Sequence, residues 1–289
     1  MAVIQVDDIT YTYPLTSEPA LRDVSLSVEA GQFVAVIGAN GSGKSTLAYA
    51  LTGFVPNFFQ GELTGAVTVA GLNTRATPLA KLVTVAGLLF QNPATQISGA
   101  RFTVFEEVAF GLENLGVPRA EMRPRIEQAL TLTGLSELAG RSPFELSGGQ
   151  QQRLALTAML VMQPQVLVLD EPTSQLDPLG SRDVFAAIRQ LSRQGLTVVM
   201  MEHKLEWVAA FADRVIALAG GQVILDGPPR EVLTSPLLET QHIGRPRFIR
   251  AAAQARKLGL WPANQPLPIT LAETVAGFER VLKEATNAD

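Results

Sequence analysis

An α/β fold built on a parallel sheet is what this chain predicts, and three observations predict it. FVAVI at 33–37 is an unbroken apolar run that leads into GANGSGKST and then into KSTLAYALT, a stretch of good helix formers. VLVL at 166–169 and TVVMM at 197–201 are two further apolar runs of strand length. Runs without polar alternation are strands covered on both faces, as in a parallel sheet between helical layers.

The remaining elements follow in order. Residues 1–30 alternate short apolar stretches with turn signals and read as antiparallel strands. Residues 62–85 are again strand-rich, in GAVTVAG and LVTVAG. From Val104 the spacing changes: Val104, Val108, Leu112 and Leu115 share one helix face, and the helical stretch is expected to run to about Leu138. Ser147 opens another helix, to about Met162. VIAL and QVIL read as a hairpin across Gly220-Gly221, and DGPP at 226–229 breaks the chain. A helical tail follows, with a capping box at Thr270 and Glu273 and an apolar face of Leu271, Val275, Phe278 and Leu282.

The chain has 289 residues, enough for about two domains and a large core. Its net charge is −4, with no long Lys/Arg run, so no nucleic acid partner is expected. It has no cysteine, which excludes disulfide and thiolate chemistry. The start MAVIQVDDIT lacks a basic, apolar leader, so no signal peptide is expected. No run of about 18 apolar residues is present to span a membrane.

Two motifs carry the chemistry. Gly38, Gly43, Lys44 and Ser45 satisfy G-x-x-x-x-G-K-[ST], with Asn40, Gly41, Ser42 and Thr46 in the same run. Glycines let backbone N–H groups turn onto phosphate oxygens, and the helix start adds about half a positive charge. Lys44 is expected to reach the β- and γ-phosphates, and Ser45 to ligate Mg²⁺. The second motif is LSGGQ at 146–150. Ser147, Gly148, Gly149 and Gln150 open a helix and offer a second anion site. Two helix starts in one subunit are not expected to close on the same γ-phosphate from opposite sides. A second subunit, placed head to tail, resolves that geometry.

Asp170 and Glu171 end the run VLVL, where strand ends in a parallel sheet face a ligand crevice. Asp170 is placed to hold Mg²⁺, and Glu171 to activate water as general base; a plain acidic turn is the competing reading. His203 follows another strand end, where its imidazole can donate to the γ-phosphate and orient Glu171. Gln91, after GLLF, offers an amide oxygen to Mg²⁺ or water. Tyr13 can stack on an adenine ring.

These residues resemble one family over about residues 3–235: the nucleotide-binding subunits of ATP-binding-cassette transporters. The resemblance implies that GANGSGKST is the Walker A loop, Gln91 the Q-loop, LSGGQ the signature and VLVLD the Walker B strand. It implies Glu171 as catalytic base, His203 as switch histidine, Tyr13 as adenine-stacking aromatic, and SQLD, ending at Asp177, as the D-loop that crosses to the other subunit. The implied fold is a P-loop NTPase with a RecA-like core, an antiparallel β subdomain, a helical signature subdomain at about 95–165 and a small helical C-terminal extension at 236–289. The implied ligands are ATP and Mg²⁺. FQNPATQISGARFTVFEEVAFGLENLGVP, MEHKLEWV and the tail GPPREVL…LPITLAETV resemble more narrowly the ATPases of energy-coupling-factor and cobalt importers. In those the tail is a dimerisation segment. That implies a head-to-tail dimer, homo- or heteromeric, on the cytoplasmic face of the cell membrane. Its partners would be a transmembrane coupling subunit and a substrate-binding membrane subunit that take up a vitamin or metal ion. Gln175 departs from the D-loop pattern, where a small residue is commoner. An exporter subunit and a soluble, non-transport ATPase of the same family remain the alternatives.

Overall fold

The computed structural model describes residues 2–286. β1 (Ala2–Thr12) and β2 (Leu21–Glu29) pair antiparallel, with Val6 opposite Leu26. β3 (Phe33–Gly38) is wholly buried and delivers the chain to α1 (Lys44–Thr52) and the short α2 (Phe54–Asn57). β4 (Glu62–Val69) returns to pair with β1, and β5 (Leu72–Asn73) completes a four-stranded antiparallel sheet in the order β2-β1-β4-β5. After α3 (Leu79–Leu82), β6 (Ala86–Leu89) joins the other sheet.

Between β6 and the next strand lies a helical layer: α4 (Val104–Asn114), α5 (Arg119–Leu132) and α6 (Gly148–Leu160). Both α4 and α6 begin with a full capping box, Thr103 with Glu106 and Ser147 with Gln150, which satisfies helix-start donors that otherwise lack partners. This layer has its own apolar centre, including Val108, Leu112, Ile126, Leu130 and Leu154.

β7 (Val166–Asp170), α7 (Pro178–Arg193), β8 (Thr197–Met201), α8 (Leu205–Phe211), β9 (Arg214–Ala219) and β10 (Gln222–Gly227) finish the six-stranded sheet, order β10-β9-β3-β8-β7-β6. Its strands run parallel except the edge strand β10, which pairs antiparallel with β9. Strand periodicity splits its core in two. Val34, Val36, Val168 and Met201 face α1 and the antiparallel sheet. Phe33, Ala35, Leu169 and Met200 face Phe185 and Ile188 of α7 and Val208 of α8.

The tail comprises α9 (Pro229–Thr234), α10 (Leu237–Thr240), α11 (Arg247–Lys257) and α12 (Leu271–Thr286). It is not an appendage: Leu238, Ile249 and Ile269 are buried in the same core as Phe33 and Phe185. The final three residues of the expected 236–289 extension lie outside the described residues.

Four sequence expectations need adjustment. LVTVAG is not one strand; Leu82 ends α3, and only Ala86 and Gly87 enter β6. The helical stretch from Val104 to Leu138 is not one continuous helix. Gly116, at φ +69°, turns the chain, and Pro118 cannot continue a helix, so Leu115 is a C-cap and α5 starts afresh. Asp226 and Gly227 remain in β10, and the break falls at Pro228. At α12, Glu273 donates its N–H to the Thr270 hydroxyl, but its carboxylate accepts from Ile269 N, one residue before the expected partner. Its apolar residues also divide. Phe278 packs edge-on against Trp261, whose ring lies over Gly277, where a Cβ would sit 2.1 Å from it. Leu271 and Val275 stay exposed.

Candidate functional site

The loop between β3 and α1 has the backbone its motif predicts. Gly43 caps α1 at φ +102°, a region open to glycine, and a Cβ there would meet Ala20 O at 2.6 Å. Gly38 is equally constrained: a Cβ would lie 2.3 Å from Ser42 Oγ. Lys44 is only 6% exposed and donates to Gly38 O (2.8 Å) and Ala39 O (3.0 Å), so its ammonium is folded into the loop. Burial pushes the Lys44 ammonium down from its ordinary pKa, and the carboxylates of Glu171, Asp170 and Glu202 pull it back up.

The loop opens into a cleft of about 490 Å³ lined by Tyr13, residues 40–46, Gln91 and Glu171. Tyr13, just beyond β1, stands edge-on to Tyr11 with its hydroxyl 3.1 Å from Thr46 Oγ1. Ser42 Oγ is buried with no hydrogen-bond partner among the described residues.

The acids arrive on adjacent strand ends. Asp170, the last residue of β7, is 3% exposed and hydrogen-bonded to Ser45; burial raises its carboxyl above the usual range. Glu171 sits at φ +50°, an uncommon conformation for a side chain this long, held by its N–H donation to Met201 O of β8 (3.0 Å). The turn swings its carboxylate towards Gln91, whose Nε2 donates to Glu171 Oε2 at 2.7 Å. His203 Nδ1 lies 3.4 Å from Glu171 Oε1. Gln91, Glu171 and His203, from three separate elements, thus form one polar group beside the phosphate loop.

LSGGQ goes elsewhere. Ser147, Gly148, Gly149 and Gln150 line a separate cleft of about 530 Å³ together with Gln175, Leu176 and Asp177. Asp177 accepts Gly180 N at 2.6 Å as the N-cap of α7. The structure therefore joins Tyr13, the phosphate loop, Gln91, Asp170, Glu171 and His203, and leaves the signature and Asp177 apart from them. Sequence reasoning passed over Glu202, 1% exposed, and Thr173, whose hydroxyl donates to it at 3.0 Å. One signal was available: an acid directly following the apolar run TVVMM, as Asp170 closes VLVLD.

Comparison with known proteins places this geometry. Residues 21–174 match the ABC transporter family model. A protein of Pyrococcus abyssi named as an ABC transporter ATP-binding protein is 44% identical over 262 residues, covering 90% of this chain and 93% of its own. The energy-coupling factor transporter ATP-binding protein EcfA1 of Levilactobacillus brevis is 44% identical over 231 residues, 80% of each chain. Among solved structures, cbiO1 of Clostridium perfringens, described as part of the ABC transporter complex cbiONQ, superposes with a TM-score of 0.73 at 29% identity over 89% of this chain and 97% of its own. The α/β fold agrees with these likenesses, and the chain belongs to the ABC transporter family as an ATP-binding, ATP-hydrolysing subunit.

Proposed function

We propose that this chain drives uptake as the ATPase of an importer of the energy-coupling-factor type, working as a head-to-tail dimer beneath membrane subunits that carry a vitamin or metal ion. The observation that carries the dimer is the separation of the two clefts: the phosphate loop with Glu171 in one, the signature in another. A second copy would bring its signature over this chain's phosphate loop and receive the reverse. The likenesses to EcfA1 and cbiO1 favour the importer reading over an exporter. Among the described residues no helix is long and apolar enough to cross a membrane, so transport needs partner subunits; this chain would sit against them on the cytoplasmic face. The division we favour is an ATPase domain over 3–235, with a helical part near 95–165, and a dimerising extension beyond 236.

The residues assign roles by position. The loop amides of 40–45 and Lys44 cradle phosphates, and Tyr13 receives the base. Ser45, Asp170 and the Gln91 amide oxygen form an all-oxygen donor set suited to Mg²⁺, which takes few protein ligands and completes its shell with water and phosphate. The buried, raised carboxyl of Asp170 beside the Ser45 hydroxyl fits a site that a cation completes. Bound there, Mg²⁺ supplies charge neutralisation on the transferred phosphoryl group. Glu171 accepts the proton of the attacking water. Gln91 and His203, on its two carboxylate oxygens, hold it in that orientation.

Glu171→Gln tests the assignment. It should keep ATP binding, lose hydrolysis by about a hundredfold or more, and leave a dimer with trapped ATP. Size-exclusion chromatography with and without ATP and Mg²⁺, beside a phosphate-release assay, reads both. A fully active, monomeric variant would remove Glu171 from the base role.

A further inference from the structure

We propose that Glu202 is a positioning residue for hydrolysis: its buried carboxylate fixes the loop carrying His203 and ties it to the 173–177 loop that backs the signature. The proposal rests on the roles given above to Glu171 and His203.

The geometry is specific. Glu202 follows β8, and its N–H donates to Val36 O at 3.1 Å, which pins it to the strand feeding the phosphate loop. Its Oε1 accepts from two backbone donors, His203 N at 2.9 Å and Lys204 N at 3.0 Å. These are the donors that begin the turn into α8, whose start has no side-chain cap of its own. The same oxygen lies 3.7 Å from His203 Nδ1, the ring nitrogen that also faces Glu171 at 3.4 Å. Its other oxygen, Oε2, accepts the Thr173 hydroxyl. Lys204 closes the knot from outside, with Nζ donating to Thr173 O at 2.9 Å.

A buried carboxylate is tolerated only where charge-assisted hydrogen bonds replace its water. Here every one of those bonds goes to a loop at the reaction centre. Thr173 is where the knot leaves the histidine loop. The next residue, Ser174, donates its hydroxyl to Gln91 O at 3.2 Å. Gln175 and Leu176 then lie against Gly148 and Gly149, close enough that added Cβ atoms would meet them at 3.3 and 3.2 Å. A continuous run of contacts therefore links His203, through Glu202 and Thr173, to the signature that would serve the opposite nucleotide.

The test uses Thr173, since Glu202→Ala leaves a buried hole and several unpaired donors. Thr173→Val keeps the shape and removes the hydroxyl; Thr173→Ser keeps the hydroxyl. In ATPase assays of the full chain, Thr173→Val, which removes both the bond to Glu202 and the 3.3 Å contact from Lys204 Nζ, should lower kcat about tenfold or more, with KM for ATP within about twofold. Thr173→Ser should stay within about twofold of the parent kcat. A purely structural role would instead lower Tm and disturb kcat and KM together. Parent-like kcat in Thr173→Val, or equal loss in Thr173→Ser, overturns the proposal. Glu171→Gln, assayed alongside, separates the failures. If it is inactive while Thr173→Val is normal, Glu202 alone loses its role; if it hydrolyses normally, the site reading beneath has failed.

Discussion

The two clefts use one device, an exposed helix start, and surround it differently. Around α1 the loop is backed by groups withdrawn from water: Lys44, Asp170 and Glu202 are all buried, and Glu171 nearly so. Around α6 the polar atoms of Ser147 and Gln150 are spent on each other in the capping box, and the Asp177 carboxylate caps α7. The first cleft gathers ionisable groups in a low-dielectric setting. The second presents oriented N–H dipoles at the surface, with Arg153 and Asp183 at its margin. On the roles proposed above, the first does the chemistry on a phosphate and the second completes its cradle. On the head-to-tail arrangement proposed above, a chain with both clefts facing different spaces is half of two sites.

Breaking either half should therefore be severe, and breaking different halves in two chains should be partly reversible. Lys44→Ala removes a contact worth about 1.5–3 kcal/mol, so ATPase activity should fall by at least about ten- to a hundredfold. Ser147→Arg, which blocks the second helix start, should be similarly inactive. Mixed dimers of the two contain one doubly damaged site and one intact loop facing an intact signature. Partial recovery of activity on mixing is the expected result. A mixture as inactive as its parents, with heterodimers demonstrated, means that the sites act within one chain or only together.

A smaller effect sharpens the contrast between the site and the tail. The exposed residues Leu271 and Val275 lie on α12, whose Phe278 packs on Trp261. If this face joins two chains, Val275→Glu places a charge in an apolar contact and should weaken nucleotide-free association about tenfold or more. Tm and ATP affinity should stay at parental values. Sedimentation equilibrium reads the association; an unchanged constant removes α12 from the interface. Truncation before α10 is a poorer test, because Leu238 and Ile249 belong to the core.

The smallest effect concerns a salt bridge outside both clefts. Asp213 accepts Phe33 N and both Arg189 terminal nitrogens, pinning the start of β3. Burial alone would raise the Asp213 carboxyl, but these bonds hold it below the usual range. A depressed carboxyl stabilises the fold above its unfolded pKa of about 3.9, and that stability disappears as pH falls through the lower folded value. Asp213→Asn should thus lower Tm by about 2–4 °C at pH 7, a modest shift because the pair is partly solvated, and by progressively less below about pH 4. A deficit that persists undiminished in acid would show that the charge is not the cause.

Local rules explain what could be read in advance. Unbroken apolar runs gave the buried strands, and Ser147 opens its helix as expected, because strand burial and helix capping both act within a few residues. LVTVAG misled because an apolar run alone does not separate a strand from the end of a short helix. The break at Gly116 was visible as glycine and proline but was overridden by the periodicity on either side.

By itself the sequence determined the phosphate loop, the signature, the acids and histidine at strand ends and the α/β class, since each depends on residue type at fixed short spacing. Only the tertiary structure decided the rest. The order β10-β9-β3-β8-β7-β6 sets β7 beside β8, so that Glu171 takes its turn from Met201 O and meets His203 from a distant segment. It also decided that Gln91 reaches Glu171, that Glu202 knots two loops, and that the tail shares the core. These are contacts between residues far apart in the chain, fixed by strand order and packing, and no local spacing encodes them.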